Sequence, residues 1–248
     1  MLLPIRVLGI VLYLCLVGAF GSVICLVRPF HPDNTRWFGR VYSWGGAAIL
    51  GIKIRRRNYG SLNGIGPAVY VANHQHNFDL FICGSAVAPR TVSIGKKNLI
   101  YLPFFGQLYW LAGNIFIDRQ SNTQSKATMS ASTRALTMKN TSIWVFAEGT
   151  RNRGYNLLPF KKGAFIMAIE AGVPIIPICV SSYARNMDLS RWRSGVAEIQ
   201  ILEPIMTDQL SLSDLETVMQ QCWDSMKETI DELDRKAYPP AARAAHSI

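Results

Sequence analysis

Asn73-His74-Gln75-His76-Asn77-Phe78-Asp79 is the stretch from which the fold can be predicted, because it separates two apolar segments. The preceding run, Ala68-Val69-Tyr70-Val71-Ala72, is short and rich in β-branched and aromatic residues, which is typical of a buried strand. The residues that follow, from Asp79 to Gly84, predict the opening of a helix. The polar cluster is therefore expected in a strand-to-helix turn, where a rigid sheet commonly presents reactive groups.

Two histidines in this turn are candidates to pair with Asp79. A histidine beside a carboxylate is the simplest general base, because the carboxylate fixes the tautomer and stabilises the imidazolium. His76 lies three residues from Asp79, whereas His74 lies five away and would point about 140° off on a regular helix. His74 can pair only if the chain turns in between. Spacing alone leaves both open, and either histidine could instead be a cap or an ordinary hydrogen-bonded residue.

Strand and helix patterns alternate along the rest of the chain. Strands are predicted at 91–94, 115–117, 143–147, 173–180 and 196–202, and helices at 125–139, at 163–171 and after Ser213. A capping box of Ser213 and Glu216 is expected to start the last helix, whose apolar residues from Leu215 to Leu233 fall on one face. The alternation predicts an α/β sandwich of a mostly buried mixed sheet with flanking helices.

The first 57 residues predict two membrane-anchoring helices, followed by an α/β domain over 58–248. Val7 to Val27 is an uncharged apolar run of 21 residues, and a bilayer-spanning helix needs about 20. The apolar region of a signal peptide is shorter, about 7 to 15 residues. Trp37 to Ile54 contains aromatic and charged residues and predicts an interfacial helix. Whether the first helix crosses the bilayer or lies within one leaflet is left open.

Composition points to a membrane-associated protein with anionic partners. Charged residues make up 17% of the chain, the mean hydropathy is +0.14 and the formal net charge is +10. Basic residues after the first apolar run outnumber Arg6 before it, which predicts that the bulk of the chain is cytoplasmic if this run spans the membrane. No zinc-finger spacing or regular basic and aromatic alternation occurs, so no nucleic-acid partner is expected. The five scattered cysteines predict neither disulfides nor a metal site.

Four sequence blocks in order resemble the glycerolipid acyltransferases. The blocks are H-Q-H-N-F-D at 74–79, G-N-I-F-I-D-R at 113–119, F-A-E-G-T-R at 146–151 and V-P-I-I-P-I at 173–178. In that family the first His of an H-x-x-x-x-D motif is the base and the Asp orients it. The resemblance covers nearly the whole chain. It implies that His74 and Asp79 are the catalytic pair, and that the fold is the family's sandwich with an N-terminal two-helix membrane anchor.

The resemblance also implies a reaction, namely transfer of a fatty acyl group from acyl-ACP or acyl-CoA to the sn-2 hydroxyl of 1-acyl-sn-glycerol 3-phosphate (lysophosphatidic acid). The product would be phosphatidic acid, made at the bacterial cytoplasmic (inner) membrane among membrane phospholipids. The chain contains no G-x-S-x-G elbow, so direct attack on the thioester is expected rather than a serine acyl-enzyme. Neither a metal nor a cofactor is expected beyond the acyl donor.

Cationic and backbone groups are predicted to bind the substrates. Arg119 and Arg151 are candidates for the acceptor phosphate, with Gly149 and Thr150 offering backbone approach and a hydroxyl. Glu148 would orient Arg151 or a substrate hydroxyl, or form an internal ion pair. Four lysines are candidate contacts for the donor or for headgroups, namely Lys96, Lys97, Lys161 and Lys162.

The segment from Leu99 to Ala112 is rich in aromatic and aliphatic residues, which predicts either core packing or an acyl-chain groove or membrane-facing surface. Two other functions remain open at this point. One is a related acyltransferase with another lysophospholipid or glycerol 3-phosphate as acceptor. The other is a non-catalytic membrane protein that binds acidic phospholipids, against which the complete His-Asp pair argues.

Overall fold

A computed structural model describes residues 2–58, 65–118 and 122–238, without the side chains of 122–128. The helices are α1 (Leu2–Val27), α2 (Asp33–Leu50), α3 (Asp79–Cys83), α4 (Phe105–Leu111), α5 (Asn122–Met138), α6 (Gly163–Ala171), α7 (Tyr183–Asn186) and α8 (Leu215–Ala237). The strands are β1 (Ile52–Arg57), β2 (Val69–Ala72), β3 (Thr91–Lys96), β4 (Ile115–Ile117), β5 (Ser142–Phe146), β6 (Ile175–Val180) and β7 (Gly195–Ile201).

The seven strands form one mixed sheet in the order β1-β7-β6-β2-β5-β3-β4. From β6 to β4 all neighbours are parallel, whereas β7 runs antiparallel to β6 and parallel to β1. β2 lies between β5 and β6 and is buried along its whole length, which explains its continuous apolar sequence. The carboxyl ends of β2, β5 and β6 therefore meet at one edge of the sheet, and the predicted site loops start there.

Helices cover both faces of the sheet, so the predicted α/β sandwich is confirmed. Tyr70 and Ala72 of β2 point into a core shared with α1, α2, α3 and α4. Val69 and Val71 point to the other side, into a core shared with α5, α6 and α8. The period of two along the strand divides its residues between these layers.

α1 is long and apolar enough to cross a membrane, by length and composition. It packs beside α2 and α4, and both of its ends contact the α/β domain. Near its start, the buried Arg6 donates hydrogen bonds to Leu189 O (3.0 Å) and Trp192 O (2.7 Å). Just after its end, Phe30 N donates to Leu111 O (2.8 Å).

The segment predicted as one interfacial helix, 37–54, divides into two elements. α2 ends at Leu50, because Gly51 adopts a left-handed conformation with φ of 69°. β1 follows and pairs with β7, so these last residues of the predicted anchor segment belong to the sheet. The division of the chain at residues 57 and 58 stays a prediction.

The capping box is also displaced from its predicted position. Ser211 and Asp214 form it, rather than Ser213 and Glu216, and they start a 3-10 turn, Leu212–Asp214, that leads into α8.

Candidate active site

The turn after β2 brings His74 and Asp79 together. The chain leaves β2 at Ala72 and enters α3 at Asp79, and the turn between them places His74 Nδ1 2.5 Å from Asp79 Oδ2. Asp79 is buried, whereas the His74 side chain keeps 18% of its surface exposed. A histidine that donates from Nδ1 to a carboxylate has Nε2 left to accept a proton. The structure therefore selects His74 from the two histidines left open by spacing.

Three further donors fix the carboxylate of Asp79. Oδ2 accepts the backbone N–H groups of Gln75 (2.6 Å) and His76 (3.1 Å), and Oδ1 accepts the Tyr183 hydroxyl (2.5 Å). Burial and the nearby Asp79 charge raise the pKa of Tyr183 well above its usual value. The phenol therefore stays protonated and donates a hydrogen bond to Asp79. Both oxygens of Asp79 are thus engaged, which fixes the orientation it imposes on His74.

The backbone of His74 is held on both sides by the segment after β5. His74 N donates to Glu148 Oε1 (2.7 Å), and His74 O accepts Asn152 N (2.8 Å). Beside it, the Asn73 side chain donates to Val180 O (2.9 Å) and accepts Val180 N (2.8 Å). These bonds join the ends of β2, β5 and β6 around the His-Asp pair.

The imidazole of His74 also has a fixed ring contact. It stacks on Phe146, the last residue of β5, with 4.2 Å between centroids and 18° between planes. The stacking restricts rotation of the imidazole about its hydrogen bond to Asp79.

Glu148 is 1% exposed, and the hydrogen-bond partners of its carboxylate are protein amides. Besides His74 N, its oxygens accept Leu158 N (2.9 Å) and the Asn152 side-chain amide (2.9 and 3.0 Å). Burial raises the pKa of Glu148, and the hydrogen bonds oppose that shift. Glu148 therefore joins the backbone at His74 and Leu158 to the side chain of Asn152. Its predicted roles toward Arg151 or a substrate hydroxyl stay predictions.

The rest of the F-A-E-G-T-R loop lies beside the turn. Gly149 has a left-handed backbone with φ of 69°, and its N–H donates to Phe146 O (3.1 Å). Thr150 and Arg151 are exposed, and the Arg151 charge contributes to lowering the pKa of His76. Arg151 is thus within electrostatic range of the site. Arg119 lies outside the described residues.

His76 does not pair with Asp79 through its ring. Its Nδ1 accepts Phe78 N (3.3 Å), and the ring lies 4.4 Å from that of Phe78. Burial is the main cause that lowers the pKa of His76, with Arg151 and His74 adding to the effect and Asp79 opposing it. A neutral, packed imidazole is what this environment favours.

The four candidate lysines differ in their surroundings. Lys97 pairs with Asp118 (3.3 Å) and Lys162 with Glu216 of α8 (2.5 Å). The Lys161 side chain passes close to Gly149, and Lys96 is exposed. Lys161 is thereby brought to the F-A-E-G-T-R loop, and the donor contacts stay predictions.

Tyr183 and Asn152 are site residues that the sequence analysis missed. Tyr183 comes three residues after β6, at the edge where β2 also ends, and that position is the only signal the sequence gives for it. Asn152 follows the recognised F-A-E-G-T-R block directly but was not included in it.

No group of three or more His, Cys, Asp or Glu side chains is placed to hold a metal ion within residues 2–58, 65–118 and 129–238.

The aromatic segment before β4 divides between the two predicted environments. Leu108 and Leu111 are buried in the core, whereas Tyr101, Phe104 and Trp110 are exposed.

Large exposed apolar side chains cluster on α1, α2 and the segment around α4. On α1 they include Leu8, Leu12, Leu16 and Phe20, on α2 Trp37, Val41 and Trp44, and around α4 Ile100, Tyr101, Leu102, Phe104 and Trp110. Because α1 packs against both α2 and α4, these three elements bring their exposed side chains into one region of the surface.

Comparisons with known proteins identify the family of this chain. A family model described as Acyltransferase matches residues 53–181. The chain is 41% identical over 236 residues to the 1-acyl-sn-glycerol-3-phosphate acyltransferase of Escherichia coli, covering 95% of this chain and 96% of the relative. It is 41% identical over 240 residues to the enzyme of the same name from Haemophilus influenzae, covering 95% and 98%.

A solved structure supports the fold independently. The crystal structure of the 1-acyl-sn-glycerophosphate (LPA) acyltransferase from Thermotoga maritima superposes with a TM-score of 0.73 at 20% sequence identity. The match covers 93% of this chain and 97% of that one.

Proposed function

Because this chain belongs to the acyltransferase family that includes the bacterial 1-acyl-sn-glycerol-3-phosphate acyltransferases, we propose that it acylates the sn-2 hydroxyl of lysophosphatidic acid. The product is phosphatidic acid. The single observation that carries the proposal is the His74–Asp79 pair, with its 2.5 Å hydrogen bond, at the edge of the sheet where β2, β5 and β6 end.

His74 acts as the general base in this proposal. Its Nε2 removes the hydroxyl proton while the oxygen attacks the thioester carbonyl, and Asp79 stabilises the imidazolium without taking the proton. Collapse of the tetrahedral intermediate expels a thiolate, which receives the proton from His74. A thiolate is a good leaving group, so these steps need neither a metal nor a cofactor other than the acyl-ACP or acyl-CoA co-substrate.

The acceptor phosphate is assigned to the exposed Arg151 with Gly149 and Thr150, and to Arg119 by the resemblance. A guanidinium can hold a phosphate through two parallel hydrogen bonds. The position of Arg151 near His76 supports this assignment, because it puts a cation beside the turn that carries the base. Glu148, with its amide partners, supports the loop from behind rather than meeting the anion.

The donor is assigned to the basic surface around the same loop, with Lys161 as its best-placed lysine. Lys96 is exposed and is a second candidate. Lys97 and Lys162 would first have to leave Asp118 and Glu216.

The membrane is the proposed location, specifically the cytoplasmic side of a bacterial inner membrane. α1 and the exposed aromatic residues of α2 and of the α4 region would contact the acyl chains of membrane phospholipids. Substrate and product are both lipids, so a site beside this surface exchanges them without passage through water. Nucleic acid is not among the proposed partners.

The test is transfer of labelled palmitoyl groups to 1-acylglycerol 3-phosphate by the intact protein in vesicles, with acyl-ACP and acyl-CoA tried separately. The parent and His76→Ala should form phosphatidic acid, whereas His74→Ala should lose about a hundredfold or more of the rate. His76→Ala is the matched control, because it removes an imidazole from the same turn. Product made only from glycerol 3-phosphate would refute the acceptor, and full activity in His74→Ala would refute the mechanism.

A further inference from the structure

We propose that Tyr183 is a positioning residue for the reaction, because its hydroxyl holds Asp79 on the side opposite His74 and Asp234 of α8 fixes the turn that carries it. The inference rests on the proposed function, since it assigns His74 as the base on which Tyr183 acts through Asp79. No motif of the acyltransferase resemblance contains either residue.

The Tyr183 hydroxyl lies 2.5 Å from Asp79 Oδ1, and His74 Nδ1 lies 2.5 Å from Oδ2. Tyr183 is 1% exposed and Asp79 2%, so water does not compete for the carboxylate. Hydrogen bonds to an ionised group are stronger than neutral ones, more so away from water.

A carboxylate can only accept, and the buried phenol beside it keeps its proton, so Tyr183 donates and Asp79 carries the charge. The Tyr183 hydroxyl therefore draws part of that charge away from His74. Without the hydroxyl, the carboxylate would stabilise the imidazolium more strongly but would be less well oriented.

Tyr183 is supported by a tight turn that α8 holds in place. Ser182 has φ of −70° and ψ of 54°, and Tyr183 N donates to Ser181 O (2.6 Å), which together form an inverse γ-turn. Ser182 N donates to Asp234 Oδ1 (2.6 Å), and Asp234 is buried in the last turn of α8. The Asn186 side chain closes the turn by donating to Ser182 O (2.7 Å).

Other charged or titratable groups also face the pair. His76 lies in the turn that carries His74, and Cys83 lies on α3. Glu148 and Arg151 lie after β5, and Tyr238 follows α8. Tyr183 differs from these because its hydroxyl donates to Asp79 directly. Removal of the Tyr183 hydroxyl should therefore change the His74–Asp79 pair directly.

The test is Tyr183→Phe, measured as the pH profile of kcat/KM. The acid limb should move to higher pH, because the carboxylate without this hydrogen bond stabilises the imidazolium more strongly. kcat should fall about tenfold with KM nearly unchanged, because the base loses its orientation while the substrate contacts stay in place. Tyr238→Phe is the control, since it removes a half-buried tyrosine hydroxyl bonded to Val196 O and should leave the limb in place. A lower kcat with an unmoved acid limb would reduce Tyr183 to a structural role and overturn the proposal.

Asp234 gives a second pair of variants, useful if Tyr183→Phe does not fold. Asp234→Ala removes the acceptor of Ser182 N and should shift the acid limb in the same direction, whereas Asp234→Asn keeps an acceptor oxygen and should restore it. An equal profile for Asp234→Ala and the parent would contradict the role of α8.

Nuclear magnetic resonance separates this proposal from the proposed function. In histidine-labelled protein, with the resonance assigned by its loss in His74→Ala, the titration midpoint of the His74 ring should rise in Tyr183→Phe. That outcome would hold even if no lysophosphatidic acid were acylated, and an unchanged midpoint would refute the inference even in an active enzyme.

Discussion

His76 accepts Phe78 N–H at Nδ1, so its neutral form must carry its proton on Nε2. Protonation would place a second donor at Nδ1, facing Phe78 N–H. Burial and the Arg151 charge also disfavour the protonated ring. Both effects favour the neutral ring and agree with the lowered pKa. His76 is therefore suited to shaping the turn, whereas His74 is suited to proton transfer.

A pH-dependent stability follows for His76. Because its folded-state pKa lies below the unfolded value of 6.5, the folded protein binds this proton less readily than the unfolded chain. The resulting stability is present above pH 6.5 and is lost as the pH falls through the folded-state pKa. The thermal midpoint of the detergent-solubilised parent should thus fall more steeply between pH 7.5 and about 5 than that of His76→Gln. Parallel curves for the two proteins would contradict this.

Glu148 yields a second prediction at this scale. Glu148→Gln keeps the volume but turns one acceptor into a donor that faces Leu158 N or the Asn152 amide. We expect a loss of about 1–3 kcal/mol in the free energy of unfolding, with a fall in kcat of about tenfold or more as the His74 backbone shifts. Glu170→Gln, at an exposed position of α6, is the control. Denaturant unfolding and the acylation assay check the two effects, and a change in KM alone would favour a direct contact with substrate.

The sequence predicts the identity of the His-Asp pair only through family resemblance, and the reason is physical. The turn that joins His74 to Asp79 is held by Glu148 and Asn152, which lie more than seventy residues further along the chain. Local spacing has no information about such contacts. For the same reason the amide partners of Glu148 are not predicted from the sequence, although its presence in the site is. Its orientation of Arg151 or a substrate hydroxyl stays a prediction.

Periodicity predicts the elements well where one face is buried. The apolar stripe of α8, including Val218, Cys222 and Met226, is buried as expected, and β2 is buried throughout. The capping box before α8 is predicted two residues too far along the chain, because Ser211 and Ser213 both fit the capping-box pattern. A 3-10 turn over Leu212–Asp214 follows Ser211, and a sequence pattern does not show that this turn forms in place of a regular helical turn.

The capping box can be tested by substitution. Ser211 Oγ and N both contact Asp214 Oδ2 at 2.9 Å, so Ser211→Ala should lower the free energy of unfolding by about 1 kcal/mol. Ser213→Ala, which removes only a hydroxyl contact with Ser211, should cost less. Denaturant titrations of both variants give the comparison. A greater loss for Ser213→Ala would place the cap where the sequence pattern first suggested.

At the scale of the whole molecule, apolar length alone left the course of α1 undecided between crossing a bilayer and lying in one leaflet. The structure adds contacts at both ends of the helix. Arg6 is buried against the loop that contains Leu189 and Trp192, and Phe30 is bonded to Leu111 at the other end. A helix that crossed the membrane would carry one of these ends away from the domain. The contacts therefore favour α1 lying along the domain, with its exposed apolar face in one leaflet.

Labelling from each side of the membrane tests this arrangement. Leu3 and Val27 are exposed at opposite ends of α1, so Leu3→Cys and Val27→Cys report each end separately. If α1 lies within one leaflet, an impermeant maleimide should modify both cysteines in inside-out vesicles and neither in intact spheroplasts. The parent measures the background from its five native thiols, four of which are buried. Modification of Leu3→Cys from the outside and of Val27→Cys from the inside would show that α1 crosses the bilayer, and the hydrogen bonds of Arg6 to Leu189 and Trp192 would then be absent in the membrane.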